Sequence, residues 1–311
     1  LNQSGIVSTG RAIGVFDLDG PGGNPAQILL SGSIRPPGSQ ISYPLVSLQN
    51  GAWVPITPQS AFGDVNAMRQ FTLPGDSSPV LLTLGNLRVA AQPQTALNLG
   101  IWNGTTISPF SQGFTSNVTS MTTVAIDGEP RIVAIGGLPG IPAYSVGAYD
   151  GDAWTRLGDG DFNGLPTTLA THDPDGAGPI EPYLVAAGGF DTAPGGVPAA
   201  MVARWNGKAW EPMGAGLPSL ARGFTSFDPD ADGPLNRMLY AAGGLISGGP
   251  GTVNHLYRWD EIQWTPFGNF VSSNGPAFVE DVAAFDSDGD GPAPRQLVVV
   301  GAFNRVDGVI V

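Results

Sequence analysis

The sequence contains no cysteine and only two histidines, and these absences exclude several kinds of active site. Without cysteine there can be no disulfide bond, thiolate metal site or thiol nucleophile. His172 and His255 do not form a His-x-x-x-His metal motif, and the chain has no Gly-x-Ser-x-Gly nucleophile motif. We therefore expect no catalysis that depends on a cysteine or a histidine.

Positive charge is also scarce. Lys208 is the one lysine, and the sequence has thirteen basic residues and 26 acidic ones, so the net charge is −13. Nucleic acids and anionic lipids need a basic patch that displaces their counterions, so we expect no nucleic-acid partner. No apolar run approaches the roughly 20 residues that span a bilayer, and we expect no membrane insertion. Residues 1–20 lack the order of a signal peptide. The acidic, lysine-poor composition is typical of secreted bacterial proteins and predicts an extracellular or cell-surface location.

Long helices are not expected, because 46 glycines and 29 prolines interrupt every window of helical length. The apolar residues lie instead in short runs, such as 183–187 and 297–300, which are typical of buried strands. A hydrophobic content of 41% is too high for a disordered chain of this composition. These patterns predict an all-β fold.

A motif of two apolar or aromatic residues flanking Asn-Gly or Asp-Gly recurs along the chain. Such a pair between two strands is a strong hairpin signal, because the type I′ turn needs a positive φ at both central residues. The last copy has Asp260-Glu261 in this place, which predicts a longer turn or one of another type. The copies span residues 48–53, 102–107, 149–154, 205–210 and 259–264.

A second recurring element is an apolar strand that ends in one or two glycines, about fifteen residues before each hairpin. Paired glycines allow a close approach of the backbone and a sharp exit from the strand. The double glycine, then an aromatic residue with Asx, then a tryptophan five residues on resembles the kelch repeat of β-propellers, over nearly the whole chain. The six strands span residues 28–32, 81–85, 132–137, 184–189, 239–244 and 297–301.

The spacing of the hairpins predicts how many blades the propeller has. Successive copies begin 47 to 56 residues apart, and periods near 50 residues are typical of propeller blades. The next copy is due just beyond Val311, and residues 1–6 carry apolar positions at the same separation. We therefore predict a single domain over residues 1–311, a six-bladed β-propeller of four-stranded antiparallel blades in which the N- and C-terminal strands share one blade.

Acidic loops lie between the first and second strands of several predicted blades. Carboxylates at alternate positions before a glycine can wrap Ca²⁺, and these loops resemble the calcium loops of FG-GAP propellers such as integrin α chains. The resemblance implies Ca²⁺ ligands at Asp228, Asp230, Asp232, Asp286, Asp288 and Asp290, and weaker sites at Asp17, Asp19, Asp173, Asp175 and Glu181. The alternative is that these residues only form turns, since Asp-Pro-Asp-Gly is favourable turn chemistry.

The seven tryptophans all occupy repeated hairpin positions, so we assign them to blade packing and not to sugar binding. A ligand site is expected on the loops that break the repeat, at residues 35–42, 92–94, 191–197 and 247–252. We therefore predict a non-enzymatic binding or structural module that takes a protein or a glycan on one propeller face and can self-assemble. The alternative is a glycosidase or lyase that uses carboxylates near the central channel, such as Asp64, Glu280 and Asp281.

Overall fold

The structure is a computed structural model, and the part of the chain that it describes contains strands and no helix. None of these residues belongs to a helix that could cross a membrane. The prediction of an all-β chain is confirmed. The described residues are 7–17, 26–57, 61–63, 65–72, 79–89, 97–103, 106–110, 118–138, 140–142, 144–176, 178–228, 237–243, 256–273, 277–285 and 295–310.

The chain forms two compact units. The first comprises Leu1–Thr123, Ile132–Ala143 and Gly147–Thr155, and the second comprises Val124–Arg131, Tyr144–Val146 and Arg156–Val311. The antiparallel sheet in the middle of the chain has the strand order β10-β11-β12-β13. Its strands are β10 (Val118–Ile126), β11 (Glu129–Gly136), β12 (Val146–Tyr149) and β13 (Trp154–Arg156).

The first unit contains two further sheets. One has the order β1-β2-β3-β4, and the other has the order β5-β7-β8-β9 with β6 also paired to β7. Their inward side chains form an apolar cluster that includes Leu29, Leu45, Leu81 and Trp102. The strands are β1 (Val7–Phe16), β2 (Gln27–Arg35), β3 (Tyr43–Gln49), β4 (Ala52–Pro55), β5 (Ala61–Phe62), β6 (Val65–Phe71), β7 (Val80–Val89), β8 (Leu97–Trp102) and β9 (Ile107–Pro109).

The second unit contains two four-stranded sheets, β14-β15-β18-β19 and β20-β21-β22-β23. A hairpin of β16 and β17 interrupts the connection from β15 to β18. Val185, Met213 and Trp259 belong to the apolar cluster that both sheets share. The strands are β14 (Pro166–His172), β15 (Tyr183–Gly188), β16 (Thr192–Ala193), β17 (Val197–Pro198), β18 (Val202–Trp205), β19 (Trp210–Pro212), β20 (Gly223–Phe227), β21 (Met238–Ala242), β22 (Leu256–Trp259) and β23 (Trp264–Pro266).

The C-terminal part of the second unit is less regular. The strand β25 pairs with β26, and β27 pairs with both β24 and β28. Val298 and Val300 of β26 are 40% and 51% exposed, although the equivalent strand β15 is buried throughout. Within the described residues no third strand pairs with β26. The strands are β24 (Phe270–Val271), β25 (Phe278–Phe285), β26 (Gln296–Ala302), β27 (Arg305–Val306) and β28 (Val309–Ile310).

The predicted turn chemistry holds for the first hairpin and is wrong for the next three. Asn50 and Gly51 both have positive φ and form the two-residue type I′ turn. The later hairpins have four-residue loops at 103–106, 150–153, 206–209 and 260–263. In each, the side chain of the first loop residue accepts a hydrogen bond from the backbone N–H of the fourth, at 2.8 to 2.9 Å. This side-chain bond replaces the tighter turn.

Candidate functional site

A pocket of about 480 Å³ lies in the second unit. It is inside the range of roughly 300 to 1,000 Å³ that is usual for small-ligand sites. Four connections line it: the β10–β11 turn, the segment before β15, the β18–β19 loop and the β22–β23 loop. In an antiparallel meander these first-to-second and third-to-fourth connections lie at the same end of the sheets. The lining residues are Val124, Ala125, Asp127, Gly128, Ile180, Glu181, Pro182, Tyr183, Arg204, Trp205, Asn206, Gly207 and Glu261.

Glu261 has an unusual backbone conformation for its residue type. Its φ is 71°, and the equivalent positions of the two preceding hairpins hold glycines with φ of 108° at Gly151 and 95° at Gly207. A positive φ costs a non-glycine residue on the order of 1 to 3 kcal/mol, and such strain clusters at functional sites. The loop 260–263 is longer than a two-residue type I′ turn, as Asp260-Glu261 predicted, and it has the same length and Asx bond as the two preceding loops.

The carboxylate of Glu261 is the centre of a polar cluster. Tyr183 donates its hydroxyl to Oε1 at 2.7 Å, and Arg204 Nη1 lies 3.4 Å from Oε2. His172 Nε2 is 3.3 Å from Oε1, but the geometry of this contact falls short of a hydrogen bond. We call Glu261, Tyr183, Arg204 and His172 the Glu261 cluster. It joins the β14-β15-β18-β19 sheet to the β22–β23 loop.

Arg204 is held from two sides and packs on an aromatic ring. Its Nε donates to Glu211 Oε2 at 3.0 Å, while its Nη1 faces Glu261. The guanidinium carbon lies 5.2 Å from the centroid of the Tyr183 ring, within the range of a cation–π contact. These contacts fix the guanidinium at the wall of the pocket and pair its charge with two carboxylates.

Two pKa values in the cluster are shifted. Burial opposes the ionisation of Glu261, but the close contact with His172, the hydrogen bond from Tyr183 and the nearby charge of Arg204 together outweigh it and lower the pKa of that carboxyl. Burial, with the bond to the Glu261 carboxylate, raises the pKa of the Tyr183 hydroxyl. Glu261 is therefore an anion and Tyr183 a neutral donor at neutral pH.

The lowered pKa of Glu261 predicts a pH-dependent contribution to stability. The unfolded chain binds protons more readily than the folded one here, so the contribution is present above the ordinary value of 4.5 and is lost as the pH falls through the folded value. We expect Glu261→Gln to lower the free energy of unfolding by about 1 kcal/mol at pH 7. The difference from the unmodified protein should shrink in urea titrations below pH 4.5. Glu129→Gln, at an exposed position of β11, controls for the change in total charge. A difference that is constant down to pH 3 contradicts the prediction.

His172 has no exposed surface and connects two sheets. Its Nδ1 lies 2.6 Å from Ser226 Oγ on β20, and its Nε2 faces Glu261. Ser, His and Glu are the residue types of a nucleophile, a base and an orienting acid. The His172 side chain is fully buried, and its contact with Ser226 joins the β14-β15-β18-β19 sheet to β20. The sequence analysis did not predict that Ser226, His172 and Glu261 meet, because these residues are up to 89 positions apart in the chain.

The described residues include five of the predicted calcium ligands. Asp173 Oδ1 accepts the backbone N–H of Gly176, and Asp175 Oδ2 accepts that of Ile180. Arg237 lies 3.8 Å from Asp173 Oδ2. These are the contacts of a turn, and the calcium hypothesis for the loops stays a prediction. Glu181 is exposed and lines the pocket, while Asp17 and Asp228 are partly buried at the ends of β1 and β20. The other predicted ligands, Asp19, Asp230, Asp232, Asp286, Asp288 and Asp290, lie outside the described residues.

The pocket is not on the loops that the repeat analysis favoured. Residues 191–197 connect β15 to β18, at the opposite end of the sheet from the pocket. Residues 92–94 and 247–252 lie outside the described part of the chain, as does His255. Trp205 both packs in the core, with 6% of its surface exposed, and lines the pocket.

The acids suggested for an enzyme are not gathered in this pocket. Glu280 forms an exposed ion pair with Arg222 at 3.0 Å, and Asp281 Oδ1 accepts the backbone N–H of Val282. Neither lines the pocket. Asp64 lies outside the described residues.

Comparisons with known proteins find similarity in structure only. No protein-family model and no curated protein matches the chain. Two crystal structures of BBS1N in complex with ARL6DN, soaked with lead and with mercury, are similar to it at 12% and 11% sequence identity. Each comparison covers 95% of this chain and 90% of the other, with TM-scores of 0.45 and 0.46. The fold description rests on the sheet order and hairpins given above.

Proposed function

We propose that this protein is a non-enzymatic binding module with the fold of a β-propeller. Consecutive four-stranded antiparallel sheets in which neighbouring strands follow one another along the chain support this fold, because that is the topology of propeller blades. The hairpins at intervals of 47 to 56 residues support the kelch-like repeat and six blades. Closure of the ring by strands from both termini belongs to the same proposal.

The pocket is the proposed binding site, and the conformation of Glu261 is the observation that carries this assignment. The position that holds glycine in the two preceding hairpins holds Glu261 here, with a positive φ. The Glu261 carboxylate contacts Tyr183 and Arg204 and so orders them in the wall of the pocket. Strain of this kind persists only where the surrounding structure holds it. The polar groups are held by one another on short turns, which suits recognition of a ligand and needs no proton transfer.

The cellular location and the binding of calcium are further parts of the proposal, and the binding-module function does not depend on them. An extracellular or cell-surface setting follows from the composition of the chain. Calcium in the acidic loops, and self-assembly, are compatible with a propeller that acts as a binding module. The alternative function, hydrolysis or lysis of a glycan, would need a pair of carboxylates about 5 to 9.5 Å apart in a cleft.

The proposal is tested by filling the pocket. Ala125 is an exposed residue of β10 in the pocket wall, so Ala125→Trp blocks the pocket at little cost to folding. The matched control is Ala283→Trp, at an exposed position of β25 away from the pocket. The unmodified protein and both variants are used to select ligands from a random peptide phage library and a glycan array. We expect selected ligands to bind Ala125→Trp at least tenfold more weakly and Ala283→Trp normally.

Two outcomes contradict the proposal. Ligands that bind Ala125→Trp as well as they bind the unmodified protein would show that the pocket is not the binding site. Cleavage of an array glycan into shorter products would instead support the glycosidase or lyase. Peptide or glycan hits also decide which class of partner the module takes.

A further inference from the structure

The charges at the pocket are unequal. Three carboxylates line it, those of Asp127, Glu181 and Glu261, against the single guanidinium of Arg204. Arg204 is already paired with Glu211 and Glu261. Asp127 and Glu181 are exposed, and within the described part of the chain neither has a basic side chain within 4.0 Å. The pocket therefore offers two carboxylates that no basic side chain of the described residues neutralises.

The rest of the lining is mostly apolar. Val124 and Trp205 are buried in the wall, and Pro182 is partly buried. Ile180 is 48% exposed, so its apolar surface at the pocket is accessible to a ligand. A ligand that binds here can place an apolar segment against these side chains while it meets the carboxylates.

The burial of the Tyr183 and Trp205 rings argues against a sugar as the ligand of the pocket. Stacking on a pyranose needs an open aromatic face, and Tyr183 and Trp205 are only 7% and 6% exposed. A metal ion is also disfavoured, because among the described residues no three His, Asp or Glu side chains form a group that could hold one. An anionic ligand would face the uncompensated carboxylates of Asp127 and Glu181.

We infer that the pocket receives a basic side chain, arginine or lysine, presented by a protein partner. The apolar stem of such a side chain packs against Ile180 and Pro182, and its charged end meets Asp127 and Glu181. The net charge of −13 adds a long-range attraction for a basic partner and raises its association rate. This inference rests on the proposed function, and it specifies the chemistry of the partner.

The test uses three short peptides that differ in one side chain. They are Ac-Gly-Arg-Gly-NH₂, the same peptide with the neutral isostere citrulline, and the same peptide with norleucine. Binding to the full ¹⁵N-labelled chain is followed at the indole N–H signals of its seven tryptophans. The Trp205 signal is assigned with the Trp205→Phe variant. We expect the arginine peptide to shift the Trp205 signal and to bind at least tenfold more tightly than the citrulline peptide.

Charge-removing variants locate the cation. Asp127→Asn and Glu181→Gln should each weaken binding of the arginine peptide about threefold, as for exposed ion pairs, and higher salt should weaken it further. Asp152→Asn, at an exposed hairpin position that does not line the pocket, is the matched control and should bind normally.

The outcomes separate this inference from the proposed function. The inference of a basic side chain is overturned if the arginine and citrulline peptides bind equally well, or if Asp127→Asn and Glu181→Gln bind the arginine peptide normally. If the Trp205 signal still shifts in that case, the pocket remains a binding site. No shift with any of the three peptides also overturns the inference. The proposed function fails separately, when selected ligands bind Ala125→Trp normally.

Discussion

The Gly188→Ala variant is expected to lose about 3 kcal/mol of unfolding free energy, because the added methyl group has no space. A Cβ at Gly188 would lie 2.2 Å from the carbonyl oxygen of Leu165 and 2.6 Å from the Cα of Pro166. Both are backbone atoms of the segment that leads into β14, whose pairing with β15 has an irregularity between Pro166 and Thr168. A side chain could rotate away from the methyl group, but a paired backbone cannot. Guanidinium unfolding followed by tryptophan fluorescence measures the effect.

The neighbouring glycine provides the control. At Gly189 the nearest atom to an added Cβ is Leu220 Cδ2 at 3.9 Å, an ordinary van der Waals distance. Gly189→Ala should therefore stay within about 0.5 kcal/mol of the unmodified protein. Equal destabilisation by the two substitutions would show that the close approach at Gly188 is not what the repeat requires. The same approach recurs at Gly243 and Gly301, where an added Cβ would lie 2.5 and 2.1 Å from a backbone oxygen.

The Glu261→Ala variant is expected to lose about 2 kcal/mol of unfolding free energy. Only 29% of the Glu261 side chain is exposed, and its removal leaves the Tyr183 hydroxyl and the Arg204 Nη1 without their partner. Glu261→Gly removes the same contacts but suits the positive φ, so it should be about 1 kcal/mol more stable than Glu261→Ala. Chemical unfolding of both variants at pH 7 measures the two effects.

Gly207 in the preceding hairpin isolates the backbone effect. Its φ is 95° and no atom lies within 4 Å of an added Cβ, so Gly207→Ala should lose about 1 kcal/mol through the backbone alone. If Glu261→Gly and Glu261→Ala are equally stable, the strain at Glu261 is not real. If both equal the unmodified protein, the Glu261 cluster does not stabilise the second unit.

The sequence predicted the strands and their connections well, because these depend on residues that are close together in the chain. The short apolar runs became β11, β15 and β21, which are largely buried, as their near-continuous apolar sequence indicates. Gly188 and Gly243, at the ends of β15 and β21, have the close backbone contacts that the paired glycines suggested, whereas Gly189 does not. The turns were predicted less accurately. An Asn-Gly pair permits both a two-residue turn and the longer loop that the Asn side chain closes, and the flanking strands select between them.

The sequence alone determined that the chain is all-β, where its hairpins lie and that its net charge is negative. The tertiary structure alone decided that Glu261 meets Tyr183, Arg204 and His172, which are 78, 57 and 89 residues away along the chain. It also decided that Asp127 and Glu181 line one pocket. Turns and strands depend on the chemistry of neighbouring residues, whereas contacts at these separations depend on how sheets pack, and one sequence does not reveal that packing.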